Sequence, residues 1–529
     1  MLAMNSATGI SEPSERKRPR RPALKITAGA ILALIVAGVC LIAAKWPFTA
    51  DRVQTELASA TSSNVKIRSF RVRYFPPGCV IEGLELRQTR KSDGPPLLAA
   101  GRLDIRANYR GLLFKRIEQM RLEDVRVDMA QRSRQTESRA SGANAESTRS
   151  GSGSSSSSDS VTIEEVVVDH GVVEFPRRQQ PLVFKIDRLT FANFDRRKPI
   201  TFHVTLENPL PPGQLAVDGQ FGPWNSSDIA ATQISGSYRF TNANLGSLGG
   251  IAGTLSSQGG FAGEAKDLHV QGTTNVPNYE VKSVGHPVHL RTEFQAKVNC
   301  TNGDVDLQSV RGEFEKTSFA VAGEIAGQAN PRAKMAMLQV NDAGGRVEDW
   351  LRLLAPDAMP PMTGPISFQA RLKVPGGTAP FLRRVWLAGD FELTGVGFTK
   401  EKSQRGADEL SLRARGQKIP NDKVALPKIL GTLSGHVELI DGVANFSTLT
   451  FALPGAVANV HGTYSFVDER VDLHGQLRVD TKFSKTAGGP KGLFTRASEA
   501  LFAKSRGDGE ILPVKMTGTY DQPSYGLDK

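Results

Sequence analysis

Residues Glu293 to Cys300 alternate without a break. Phe294, Ala296, Val298 and Cys300 fall on one side, and Glu293, Gln295, Lys297 and Asn299 on the other. Successive side chains of a strand point to opposite faces, so this octet makes one apolar and one wet face. Ser367 to Val374 repeats the pattern, with Phe368, Ala370, Leu372 and Val374 set against Ser367, Gln369, Arg371 and Lys373. Val471 to Asp480 repeats it again, with Val471, Leu473, Gly475, Leu477 and Val479 against Asp472, His474, Gln476, Arg478 and Asp480. Strands buried on both faces would read as unbroken apolar runs, whereas one-sided strands belong to antiparallel sheet. Turn signals at Asn302–Gly303, Gly376–Gly377 and Asp441–Gly442 punctuate the runs, and no βαβ rhythm or fixed-length repeat intervenes. The predicted fold class is mainly β: an elongated, curled, groove-like antiparallel β-sheet with a few short helices.

From Val161 to Lys529 the chain runs 369 residues. At roughly 12 residues per strand and turn, this predicts about 30 strands. At ~4.8 Å per strand, one continuous sheet would extend up to ~140 Å, and open sheets of that size curl or fold into packed layers. A curled sheet lines a groove with its apolar face; a layered one uses the same face as core.

Upstream, Thr49 to Thr61 carries Val53, Leu57 and Ala60 at helical spacing, with Asp51 in the first turn. Ile67, Val72 and Tyr74 then alternate with Arg68, Arg71 and Arg73, around a phase slip at Ser69–Phe70 that suits a bulge. Pro76, Pro77 and Gly78 make a turn, and Val80 to Leu86, Leu97 to Tyr109 and Ile117 to Met129 read as further strands. Two later stretches have helical spacing. Arg346 to Ala355 stacks Val347, Trp350, Leu351 and Leu354 ahead of Pro356, and Gly492 to Ser505 places Leu493, Ala497, Ala500 and Leu501 on one side. Both are expected to pack against the sheet.

Ile26 to Ala44 is 19 residues without a charge. That length matches a hydrocarbon core of ~30 Å. Arg16, Lys17, Arg18, Arg20, Arg21 and Lys25 precede it, which places that flank in the cytoplasm. A cleaved signal peptide has a shorter apolar region and a small residue three before the cut, where Ile42 stands for a cut after Ala44. An uncleaved anchor is therefore expected. Gln131 to Ser160 has 12 serines among 30 residues and no large aliphatic or aromatic side chain, a composition that cannot offset chain entropy by burial. The organisation predicted is a basic cytoplasmic tail (1–22), a transmembrane helix (23–44), a membrane-proximal β module with a short helix (45–130), a serine-rich disordered linker (131–160) and an elongated β-groove domain (161–529).

The chain's net charge of +12 first suggests nucleic acid. Its distribution removes that partner: residues 1–130 hold 22 basic against 12 acidic side chains, and 161–529 hold 40 against 39. The positive charge lies beside the membrane segment, where an anionic bilayer surface attracts it. Catalytic signatures are missing: no G-x-S-x-G elbow, Walker loop or H-E-x-x-H helix occurs. His286 and His289 are three apart, a spacing that points them to opposite faces of a strand, and His461 and His474 sit in separate strands. The pairs Glu164–Glu165 and Asp408–Glu409 read as solvated faces. No catalytic residue, cofactor or metal is assigned, and an enzyme is not expected. Of the three cysteines, Cys40 falls in the membrane segment; Cys79 and Cys300 pair in an oxidising compartment or remain buried free thiols.

Three stretches together resemble one family. They are the anchor followed by NVKIRSFRVRYFPPGCVIEGLELRQ and IEQMRLEDVRVDM, then LSGHVELIDGVANFSTLTFALPGAVANVHGTYSFVDERVDLHGQL, then the closing ILPVKMTGTYDQPSYGLD. These are similar to the AsmA-like bacterial envelope proteins, relatives of the TamB and YhdP-type proteins. The resemblance implies a single-pass inner-membrane protein, N-terminus cytoplasmic and bulk periplasmic. It also implies a hydrophobic β-groove that handles phospholipid or another envelope lipid and supports the outer membrane. On that reading Phe294, Val298, Phe368, Leu372, Leu473 and Leu477 are the candidate groove-lining residues. The alternative is an assembly factor that pairs its strand edges with outer-membrane or secreted proteins. Other envelope proteins are possible partners; nucleic acid is not.

Overall fold

The computed structural model describes residues 48–128, 162–480 and 510–528, less short breaks at 62, 88–95, 97, 115, 176–180, 195–197, 224–230, 283–284, 301, 328–333, 355–358, 378, 418, 420–427 and 520–521. The expected transmembrane helix, the serine-rich linker and the helix expected at 492–505 lie outside the described residues. Among the described helices, none is long and apolar enough to cross a membrane.

The expected first helix is present as α1 (Ala50–Thr61), with Asp51 in its first turn. It lies on a meander of β1 (Asn64–Arg73), β2 (Gly78–Arg87), β3 (Leu98–Arg106) and β4 (Arg116–Asp128). A short helix, α2 (Tyr109–Leu113), fills the connection from β3 to β4, so the third strand ends before Tyr109. Phe48 and Val53 join Cys79, Ile81, Leu84, Leu103 and Ile105 in one core, against which Leu57 packs.

The phase slip at Ser69–Phe70 is real, but it shifts no register between β1 and β2, where Ile67 pairs Leu84 and Phe70 pairs Ile81. Every neighbouring strand slips along the same line. Ile81 and Leu84, Ala100 and Leu103, and Leu122 and Val125 all face the core. Left-handed residues Gly83 (φ 69°), Asp124 (φ 55°) and His170 (φ 55°) mark the line. A register shift appears only further on, between Ile186 and Arg188 of β6 (Leu182–Phe194) against β7 (Ile200–Pro209).

The sheet does not stop at the serine-rich segment. β5 (Thr162–Phe175) pairs with β4 in parallel, Arg116 beside Thr162 and Asp128 beside Glu174. The expected antiparallel order fails at this junction. The 33 residues between the two strands exceed the dozen or so that a parallel connection needs.

Beyond β7 the meander is antiparallel. It passes through β8 (Pro212–Phe221), β9 (Gln233–Asn244), β11 (Thr254–Glu264), β12 (Asp267–Val281), β13 (Val288–Asn299) and β14 (Asp304–Phe314). β15 (Thr317–Gly327), β16 (Lys334–Arg346), β18 (Pro365–Pro375) and β19 (Trp386–Phe398) follow. β20 (Gly431–Ile440), β21 (Val443–Leu453), β22 (Ala456–Ser465), β23 (Arg470–Val479), β24 (Glu510–Thr519) and β25 (Pro523–Leu527) complete it. Two-residue strands β10 (Ile251–Ala252) and β17 (Met362–Thr363) extend the ends of β12 and β19. Among the described residues the result is one open sheet of 25 strands with β1 and β25 at its margins. The described part from β5 onward has 21 strands against the roughly 30 expected of the whole stretch; most run 10 to 15 residues and helices occupy some connections. Asp441 (φ 52°) and Gly442 (φ 80°) make the β20–β21 turn, both left-handed as a type I′ hairpin requires.

Among the described residues, three helices follow β16. α3 (Val347–Leu354) is the expected one, and α4 (Phe381–Arg384) joins β18 to β19. α5 (Glu401–Ala414), between β19 and β20, was not expected. It buries Gln404, Ala407, Asp408, Ser411, Leu412 and Ala414, a face too polar to show helical hydrophobic periodicity.

Candidate binding face

The register of the sheet carries one inward-facing position laterally through all the long strands except β25. From Phe70 it passes to Ile81, Leu103, Leu122, Val168 and Leu189. It continues through Val204, Val217, Tyr238, Gly259, Gly272 and Phe294. Val310, Val321, Val340, Ala370, Gly389 and Val437 follow. Phe446, Gly462, Leu473 and Met516 end it. No member of this row is charged and none is classed as exposed. The neighbouring row on the other face is polar where it crosses the same strands: Asp218, Ser237, Gly260, Gln271, Gln295 and Ser309. Period-two alternation, repeated in register strand after strand, thus builds one apolar surface along the sheet.

Glycines on this face make room for rings. A Cβ on Gly272 would stand 2.5 Å from the Tyr238 hydroxyl, so only glycine lets that ring lie over the backbone. The same hydroxyl meets Ser257 Oγ at 3.0 Å, and Ser257 in turn donates to Thr273 O, so the polar tip on the apolar face is satisfied.

All six candidate residues lie on this face and all are half-buried. Phe294 and Leu473 belong to the lateral row; Val298, Phe368, Leu372 and Leu477 stand two or four residues along from members of it. Their surroundings differ. Trp350 of α3 meets Phe368 edge-on at 5.1 Å, and Leu372 packs beside Val385, Leu439 and Ala444. Leu477 packs against the cluster of Ala414 from α5 with Ala456 and Val479, which Leu410 of α5 also joins. These three are covered by local core. Phe294 lies between Gly272 and Val310, Val298 between Leu268 and Val305, and Leu473 between Gly462 and Met516, with sheet on both sides.

The covering helices are fixed by buried carboxylates that the sequence pattern does not reveal. Asp342, 1% exposed, accepts hydrogen bonds from Gly344 N (3.0 Å), Gly345 N (2.6 Å) and Trp350 Nε1 (2.6 Å). Asp349 accepts from Lys316 N (3.1 Å) and Thr317 Oγ1 (2.8 Å), while Thr317 accepts from Arg346 N (2.9 Å). Trp350 then sets its ring against Phe314 (4.9 Å) and Phe319 (5.5 Å). In α5 the expected solvated pair is half wrong: Asp408 is buried and accepts from Ile429 N (2.7 Å) and Gln404 Nε2 (2.8 Å). Among the described elements, the helices make their main contacts with β1, β4, β12, β16, β17, β19, β20 and β22, while β6 to β9 contact strands.

Apart from the buried carboxylates that hold the helices, the ion pairs lie on the opposite face and the margins. Arg73 grips Asp104 with two bonds (3.1 and 3.2 Å), and Arg121 and Arg188 both bond Asp169 (2.8 and 2.9 Å). Cys79 and Cys300 are both free, and Cys300 is exposed instead of buried. Burial, reinforced by the Asp104 charge, pushes the Cys79 thiol up to about 12. His289 meets Asn275 Oδ1 at 2.6 Å, and the main chain of His286 donates to Arg352 O (2.9 Å). His461 and His474 are cross-strand neighbours, and His474 touches Asp528 (2.8 Å) and Asp472 (2.9 Å). Comparison with family models, curated proteins and solved structures returns no match to this chain.

Proposed function

We propose that this chain is a membrane-anchored envelope protein of the AsmA-like kind, and that the apolar face of its sheet shields the acyl chains of phospholipid or another envelope lipid while headgroups stay in water. One observation carries this: the uncharged lateral row from Phe70 to Met516, in an open sheet with helices over only part of it. An acyl chain laid on such a face gains about 0.8 kcal/mol for each methylene removed from water. A β-sandwich would cover the same surface with a second sheet; here all 25 strands belong to one sheet. The strands β5 to β9 with β11, carrying Val204, Val217, Tyr238 and Phe261, form the broadest part without main helix contacts and the best seat for lipid. Phe294 and Val298 continue it. Phe368, Leu372 and Leu477 serve packing under the helices, which narrows the lining set proposed from sequence.

The test uses a photo-crosslinking amino acid at Phe294 and, on the opposite face of the same strand, at Gln295 in the full chain. Lipid adducts seen by mass spectrometry from position 294 and not from 295 are expected. Polypeptide adducts at 294, or equal lipid capture at both, would sink the proposal. A third probe at Ile511, exposed on β24, captures polypeptide if the strand-edge alternative holds.

A further inference from the structure

The two loops at one end of the first meander hold four exposed aromatic side chains. Phe75 is 86% and Phe114 77% exposed, with Tyr74 and Tyr109 beside them. They are not loose. Tyr109 donates its hydroxyl to Tyr74 O (2.6 Å), its ring lies 6.1 Å from that of Phe75, and Ala107 N donates to Pro77 O (2.8 Å). Asn108 caps α2 through Gly111 N, and Phe114 N closes it on Gly111 O. A rigid platform is thus built to hold apolar rings in water, at a cost that a soluble surface ordinarily avoids. The charge beside it is net positive: Arg73, Arg106, Arg110 and Arg116 flank the rings at the ends of β1, β3, α2 and β4, with Asp104 bonded to the first two.

The chain leading into this module says what covers it. The uncharged segment 26–44 ends four residues before Phe48, which is buried in the same core as Cys79 and Ala107 next to the two loops. Gln54 of α1 bonds Val65 O at the start of β1 (2.9 Å), which fixes α1 on the module two residues after Phe48. We propose that the rim of Tyr74, Phe75, Tyr109 and Phe114 rests on the anionic surface of the bilayer that holds the 26–44 segment, a step that depends on that segment being a membrane anchor. Aromatic rings at headgroup depth, ringed by arginine, are the composition that partitions to such an interface.

The experiment uses the full chain in phosphatidylcholine vesicles containing phosphatidylglycerol, with Cys40 and Cys300 replaced by Ser. Single spin labels replace Phe75, Phe114, Gln295 or, within the apolar segment, Val36. Labels at 75 and 114 are expected to be reached by oxygen and shielded from a water-soluble nickel chelate, with 295 open to nickel. R110E with R116E should lower the docked-to-undocked ratio by about fivefold for each charge. If 75 and 114 are as open to nickel as 295 while Val36 sits in lipid, the docking is refuted and the anchor stands. A nickel-accessible Val36 removes the anchor and the docking together. Shielding of 75 and 114 from both reagents would mean a protein covers the rim, and indifference to the arginine reversals would mean the surface is not read by charge; either overturns the proposal.

Discussion

Single residues decide whether the apolar face can be smooth. Gly312 in β14 is buried, and a Cβ there would overlap Cζ of Phe319, the ring that meets Phe314 at 5.8 Å and Trp350 at 5.5 Å. G312A is therefore expected to cost about 1–3 kcal/mol through displacement of a packed ring. Gly344 is the control: nothing lies within 4 Å of a Cβ placed there, and G344A should stay within about 0.5 kcal/mol of the parent. Urea midpoints of the two variants check the contrast, and equal midpoints would refute it. The alternation of Phe294 or Leu473 is legible in the sequence because it is local. That Gly312 lies beneath a ring of the next strand is not, because the pairing that brings them together depends on register.

Elements were readable to the extent that their buried faces are apolar. α3 announces itself through Val347, Trp350, Leu351 and Leu354. α5 does not, since Gln404, Asp408 and Ser411 fill its buried side and find partners in Ile429 and Pro454. The parallel β4–β5 pair was equally hidden, because alternation fixes the face of a strand and not its direction. At the far margin, β25 pairs with β24 from Pro523 to Leu527, and Asp528, just beyond it, bonds His474 of β23. Donation to Asp528, then to Asp472, holds the His474 pKa above its ordinary 6.5. A group raised on folding contributes fully below its unfolded value and loses that contribution as pH rises through the folded one. Hydrogen exchange of the β25 amides, corrected for intrinsic base catalysis, should therefore quicken as pH is taken upward from about 6.5, and H474Q should be fast throughout with no such step. A parent profile that matches H474Q would show that the ion pair does not secure this edge.

Across the whole molecule, a few contacts join parts of the sheet that the strand order sets far apart. Val281, Val288, Phe314 and Leu353 form one cluster with Phe381 and Leu382 of α4, joining β12, β13 and β14 to the connection between β18 and β19. Arg384 donates to Gly249 O (3.2 Å) across 135 residues of sequence, and to Pro375 O (2.7 Å) at the end of its own strand. Laid flat at ~4.8 Å per strand, β12 and β18 would stand five strands, or ~24 Å, apart. The α3–α4 cluster therefore ties together strands that the ladder sets far apart. F381S combined with R384A removes a ring from the cluster and the bond to Gly249 while leaving the strand ladders whole. Its expected result is a larger radius of gyration by small-angle scattering. Hydrogen exchange should also rise together at residues 249–252, next to Gly249, and at 285–288, which contact α3. A merely local role for α4 would raise exchange at 379–385 alone and leave the radius unchanged. The distinction bears on lipid handling, because a flatter sheet exposes more of the uncharged row to water. Trp350 and Phe381 occupy part of that face, so loosening the tie should raise lipid crosslinking at position 368, now beneath Trp350, relative to position 294.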